Sequence, residues 1–101
     1  MLLSIMQAGG IGMHLVPGFV VRQIAGETVA IPAGAAARAL SGLLALNGSG
    51  KLLFELLQSP QSEETLVQAL LEQYETDETT ARADVAEFLR TLRENGVLIE
   101  P

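Results

Sequence analysis

Two pairs of adjacent carboxylates are the residues of this chain best suited to acid–base chemistry. Glu63 and Glu64 form one pair, and Asp77 and Glu78 form the other. Glu63 and Glu64 follow Ser62, and both Ser62 and Asp77 are residue types that cap the N-terminus of a helix. Carboxylates in a first helical turn are stabilised by the helix dipole. We therefore predict that both pairs are structural.

Nucleophilic and metal chemistry find little support in the sequence. His14 is the single histidine, and the chain contains no cysteine. These counts exclude a multi-histidine metal centre, a thiolate zinc site, an iron–sulfur cluster and a cysteine nucleophile. His14 is expected in an exposed loop. We predict no enzyme activity, no metal site and no cofactor.

A glycine-rich turn at Gly48-Ser49-Gly50, followed by Lys51, is the remaining candidate for binding a phosphate. The spacing G-x-x-x-x-G-K-[ST] is absent, and no second phosphate ligand accompanies the turn. The attachment signature Asp-Ser-Leu of a carrier protein is also missing. We expect these glycines to let a strand turn tightly into a helix.

Composition limits the possible partners. The chain has 101 residues, 49% of them hydrophobic, and a formal net charge of −6. Six dispersed basic residues argue against a nucleic-acid backbone as partner, and no apolar stretch is long enough for a bilayer. We expect one domain over residues 17–101, an N-terminal extension over residues 1–16, and a cytoplasmic protein.

The element that must organise any site is the junction at Asn47. An apolar run of strand length, residues 43–46, leads into Asn47, whose side chain can cap a helix over Gly48 to Leu57. Earlier, β-branched runs flank a turn at Ala25-Gly26-Glu27, which predicts a hairpin. The segment 33–41 between them is interpreted as a connection.

Two further helices are predicted from their caps and their apolar spacing. Ser62 begins a helix with an apolar face up to Tyr74, and Asp77 begins a helix that runs to Asn95. Gly96 then stands where a left-handed C-cap belongs. Three strands followed by three helices predict an α+β, winged-helix-like fold with a small three-stranded antiparallel sheet.

The strings PGFVVRQIAGETVAIP, LNGSGKLLFELL and the helical segment from Ser62 to Leu98 resemble the PqqD-like family of peptide chaperones, or precursor-peptide recognition elements. The most diagnostic pieces are Leu46-Asn47, the DV-x-x-FL stretch at residues 84–89, and Gly96. One departure is Ser59-Pro60-Gln61, where members dedicated to quinone-cofactor synthesis tend to carry an Asp-Gly turn. The modified product is therefore left open.

The resemblance implies a non-enzymatic function. Members bind the leader of a ribosomally made precursor peptide as an added strand, between the third strand and the third helix, and present it to a modifying enzyme, often a radical maturase. Carried over position by position, the peptide-binding residues are Leu43, Leu44, Ala45 and Leu46 on the strand, and Arg82, Val85, Leu89 and Arg93 on the helix.

Alternatives stay open for several of these assignments. Val85 and Leu89 have the spacing of core residues, and only their exposure can decide. Arg82 is able to pair with Glu78 one turn away, and Arg93 to bond the last helical carbonyls. Otherwise the arginines would meet leader carboxylates.

Two alternatives concern the whole protein. The same topology also serves DNA-binding regulators, although the third helix has a net charge of −1, from three arginines against four acids. An exposed strand edge could further allow a homodimer.

Overall fold

The computed structural model describes residues 12–101. Five strands and four helices follow one another along this part of the chain: β1 (His14–Leu15), β2 (Phe19–Ile24), β3 (Glu27–Pro32), α1 (Gly34–Ala39), β4 (Leu44–Leu46), α2 (Gly48–Leu56), α3 (Glu63–Gln73), α4 (Glu78–Glu94) and β5 (Leu98–Ile99). The predicted α+β, winged-helix-like arrangement of a small antiparallel sheet followed by three main helices is confirmed.

The three-stranded sheet has the order β2-β3-β4, with both pairs antiparallel. A two-residue loop joins β2 to β3, and both its residues, Ala25 and Gly26, have positive φ, at 54° and 83°. Positive φ at both loop positions is the geometry of a type I′ turn, whose twist matches that of the flanking strands. The hairpin predicted from the sequence is thus closed by a tight turn.

Each of the three main helices begins at the predicted cap. The side chains of Asn47, Ser62 and Asp77 accept hydrogen bonds from the backbone N–H groups of the third residue beyond, at 2.7, 3.1 and 2.8 Å. These bonds satisfy amides that a helix leaves without internal partners. At the other end of α4, Gly96 has a φ of 72°, as expected of a left-handed C-cap.

Three short elements, α1, β1 and β5, differ from the sequence-based expectation. The segment interpreted as a connection contains the six-residue helix α1, and Ala36 within it is fully buried. Its run of alanines favours a helix, but so short a segment is stable only through its packing.

The predicted N-terminal extension also contributes to the fold. β1 pairs with β5, His14 lies in β1 rather than in a loop, and Met13 exchanges backbone hydrogen bonds of 2.9 Å with Gln61. Met13 and Leu15 are buried. The folded unit therefore includes residues N-terminal to the boundary predicted at residue 17, while residues 1–11 of that extension lie outside the described part.

The core lies where the sheet meets the helices. Phe19 of β2 packs edge-on against Phe54 of α2, with ring centroids 5.1 Å apart. Fully buried side chains from α2 and its C-cap, α3 and α4 fill the rest, namely Leu53, Phe54, Leu57, Leu66, Val67, Leu70, Val85, Leu89 and Leu92. None of the helices in residues 12–101 is both long enough and apolar enough to cross a membrane.

Candidate functional site: an open strand edge beside a helix

β4 is an edge strand whose backbone is paired on one side. Its register against β3 places Ala45 opposite Val29 and Leu44 opposite Ala30. Beyond β4 no further strand of the described chain is hydrogen-bonded. Such an edge presents N–H and C=O groups that an extended peptide can pair with.

The register also determines which residue of β4 presents those groups. Ala33 N–H donates to the Gly18 carbonyl at 3.0 Å, so Gly18 and Ala33 are a hydrogen-bonded pair of the β2–β3 ladder. Because hydrogen-bonded and non-hydrogen-bonded pairs alternate, Val29 bonds towards β2 and its neighbour Ala30 bonds towards β4. Leu44 and Leu46 therefore bond to β3, and the N–H and C=O of Ala45 point outward.

A cleft of about 290 Å³ lies between this edge, the start of α2 and α4. Its strand side is formed by Leu44, Ala45 and Leu46, and Leu53 contributes from α2. Its helical wall consists of residues spaced i, i+3, i+4, i+7 and i+8 along α4, namely Asp84, Glu87, Phe88, Thr91 and Leu92. The cleft thus joins unpaired backbone groups to apolar side chains and carboxylates.

The N-terminus of α2 supports one end of the cleft. The Asn47 side-chain oxygen accepts hydrogen bonds from Gly50 N–H, at 2.7 Å, and from the Ser49 hydroxyl, at 3.2 Å. A Cβ added to Gly50 would lie 3.3 Å from the Phe88 ring. Glycine at this position lets the aromatic ring approach the first turn of α2. The Gly50 N–H, which an anion at this helix N-terminus would need, is already bonded to Asn47.

Three of the four predicted strand residues line the cleft. Leu44, Ala45 and Leu46 are on its wall, while Leu43 lies just before β4 with 52% of its surface exposed.

The predicted helix residues are placed elsewhere. Val85 and Leu89 are 0% and 1% exposed and belong to the core between α3 and α4. Their exposure thus favours the packing role, and neither is among the cleft-lining residues.

The two predicted arginines are engaged in ion pairs outside the cleft. Arg82 Nε donates to Glu78 at 2.9 Å, and its Nη2 donates to Glu64 on α3 at 3.0 Å. The hydrogen bond from Arg82 lowers the pKa of Glu64. Arg93 pairs with Glu100 at 2.7 Å, rather than with the last carbonyls of α4, and its hydrogen bond lowers the pKa of Glu100.

The peptide-binding residues predicted from the sequence did not include Asp84, Glu87, Phe88 or Thr91. The spacing of residues 84, 87, 88 and 91 places them on one face of the helix, beside the apolar stripe at 81, 85, 89 and 92, and this spacing could have indicated the cleft wall. The Phe88 side chain is partly buried, so it both packs against the core and faces the cleft. Within residues 12–101, no group of three metal-ligating side chains comes together.

Comparison with protein families identifies the family to which this chain is related. The sequence model described as coenzyme PQQ synthesis protein D (PqqD) matches residues 27–98, from the start of β3 to β5. The chain belongs to the PqqD family. The match includes both walls of the cleft. A search of curated proteins finds no match.

Solved structures share the PqqD-type fold of this chain. A lasso peptide synthetase B1 complexed with the leader peptide superposes with a TM-score of 0.64 at 25% identity, over 86% of this chain and 96% of that one. TbiB1 in complex with the TbiA(beta) leader peptide gives a TM-score of 0.61 at 22% identity, over 83% of this chain and 93% of that one. Both of those proteins are described with a leader peptide bound.

Proposed function

We propose that this protein is a recognition element that binds the leader segment of a ribosomally made precursor peptide by β-strand addition. The observation that carries the proposal is the outward-facing backbone of Ala45 at the open edge of β4, beside the cleft against α4. Family membership and the leader-bound structures of similar fold support it.

The peptide would extend the sheet as a fourth strand. Its backbone would pair with Ala45, and alternate side chains would point towards the apolar cleft or towards the outer face of the sheet. Main-chain hydrogen bonds supply affinity in this binding mode, and the cleft supplies selectivity. Leu44 and Leu46 keep their own bonds to β3, so binding requires no rearrangement of the existing ladder.

The role of this chain would be to bind and present, without catalysis. A modifying enzyme, such as a radical maturase, would then act on the core segment that follows the leader. Val85 and Leu89 support the helical wall from beneath, and Arg82 and Arg93 hold α4 to α3 and to the residue after β5 through their ion pairs.

The negative charge of the protein argues against DNA binding, the alternative function of the winged-helix topology. DNA recognition needs a positively charged surface. The cleft wall of α4 instead carries Asp84 and Glu87. No observation on the described residues favours this alternative.

Isothermal titration tests the proposal. The titrant is the leader peptide of a precursor encoded beside this gene, and the control is a scrambled peptide of the same composition. We expect a dissociation constant of about 1 μM or lower, which corresponds to roughly −8 kcal/mol. Absence of heat with the leader, at protein concentrations well above 1 μM, would contradict leader binding.

A further inference from the structure

The cleft has one sign of charge. Asp84 and Glu87 project from its helical wall, and none of the described residues that line it is basic. Asp84 is exposed and makes no ion pair within residues 12–101. A carboxylate without a partner at the edge of an apolar cleft attracts a cation, and this attraction strengthens as the cleft loses water.

Of the neighbouring arginines, Arg90 alone among the described residues pairs with a carboxylate of this wall, Glu87. Arg82 and Arg93 pair with carboxylates outside the cleft, and Arg90 is shared between Glu87 and Glu94. Arg90, Glu87 and Glu94 together therefore carry one net negative charge. Within the cleft itself, Asp84 is the carboxylate without an ion pair among the described residues, and Glu87 shares Arg90 with Glu94, which lies outside the cleft.

Apolar side chains form the floor between these charges. Phe88 and Leu92 of α4 face Leu44 of β4 and Leu53 of α2 across the cleft. Asp84 and Phe88 are about 6 Å apart along the helix axis, since a helix rises 1.5 Å per residue. In an extended peptide, side chains on one face recur every two residues, about 6.6 Å apart.

We propose that the leader segment bound here is cationic and apolar. A lysine or arginine of the leader would pair with Asp84 and Glu87, and an apolar side chain two positions away would pack on Phe88. This proposal rests on the proposed function. It reverses the acidic leader expected from Arg82 and Arg93, because both arginines are already paired away from the cleft.

Selection from a random peptide library tests the proposal without knowledge of the natural leader. Decapeptides displayed on mRNA are selected against the full chain and against Asp84→Asn/Glu87→Gln. The matched control is Glu72→Gln/Glu75→Gln, which removes the same charge from exposed positions at the end of α3 and just after it. We expect peptides from the full chain to be enriched in lysine or arginine two positions from an apolar residue.

The selected peptides are then measured by titration at low and at high salt. Their affinity should fall at least about tenfold in Asp84→Asn/Glu87→Gln and stay within about twofold in the control, and salt should weaken binding to the full chain. Peptides that require Ala45 N–H but show no preference for basic residues would overturn this inference and leave leader binding standing. Recovery of no peptide that depends on the β4 edge would overturn the proposed function itself.

Discussion

Asp77 shows how one side chain both starts a helix and makes its stability depend on pH. Its carboxylate accepts the Thr80 amide at 2.8 Å, and this bond lowers the pKa of Asp77 below its ordinary value of 3.8. A lowered folded-state pKa means that the ionised carboxylate stabilises the fold. That contribution is present above the unfolded-state pKa and is lost as the pH falls through the folded-state pKa.

The first prediction follows from Asp77→Asn. Asparagine still caps the helix but carries no charge to interact with the dipole of α4. We expect the variant to be less stable than the parent at pH 7, with the difference fading as the pH falls below 3.8. Urea unfolding of both proteins from pH 7 to about pH 2 measures this. A difference that grows on acidification would contradict the role assigned to the charge.

At the residue scale, the caps and the strand side of the cleft were predictable from the sequence, whereas the helical wall of the cleft was not. Asn47, Ser62 and Asp77 act on amides three residues away, so local sequence specifies them. The cleft wall depends on how α4 is rotated about its axis, which its packing against α3 and the sheet determines. Since neighbouring positions are 100° apart on a helix, the apolar stripe that includes Val85 lies directly beside the cleft stripe that includes Asp84.

At the scale of elements, the β2–β3 hairpin contains one strained residue. Ala25 has a φ of 54°, in the left-handed region that alanine adopts at a cost and asparagine tolerates better. Asn-Gly is also the preferred sequence for a type I′ turn.

We therefore predict that Ala25→Asn stabilises the protein by up to about 1 kcal/mol. Thermal unfolding followed by circular dichroism measures the change, and Gly26→Ala serves as the opposite control because it places a side chain at a φ of 83°. Leader binding should be unaffected, since the turn lies outside the cleft. A fall in unfolding temperature for Ala25→Asn would contradict the turn assignment.

The three main helices and the hairpin could be predicted from the sequence, whereas α1, β1 and β5 could not. The long helices carry caps and repeated apolar spacing. Each missed element is six residues or shorter, and its stability comes from distant partners rather than from its own sequence. β1 exists because β5 and Gln61 lie beside it.

At the scale of the whole molecule, β1 ties the two ends of the folded unit together. Leu15 is 4% exposed and Ile99, in the same two-stranded sheet, is 41% exposed. Removing a buried leucine side chain destabilises a protein by about 2–5 kcal/mol. We predict a loss of this size for Leu15→Ala and a much smaller one for Ile99→Ala, measured by urea unfolding. A loss for Leu15→Ala as small as that for Ile99→Ala would mean that β1 contributes little to the core.

The open edge of β4 also bears on the oligomeric state. Self-pairing of two copies through β4 remains a prediction from the sequence, and it would use the same backbone groups of Ala45 as the leader. Leader binding and this form of dimer would therefore exclude each other.

Titration of the leader into Ala45→Pro and Ala45→Ser tests the central claim most directly. Proline removes the outward N–H of Ala45 without breaking a bond to β3, whereas serine keeps that N–H. Circular dichroism first establishes that both variants retain the helix content of the parent. We predict that Ala45→Pro weakens leader binding at least tenfold, about 1.4 kcal/mol, while Ala45→Ser binds like the parent. A folded Ala45→Pro protein with the affinity of the parent would contradict strand addition at β4.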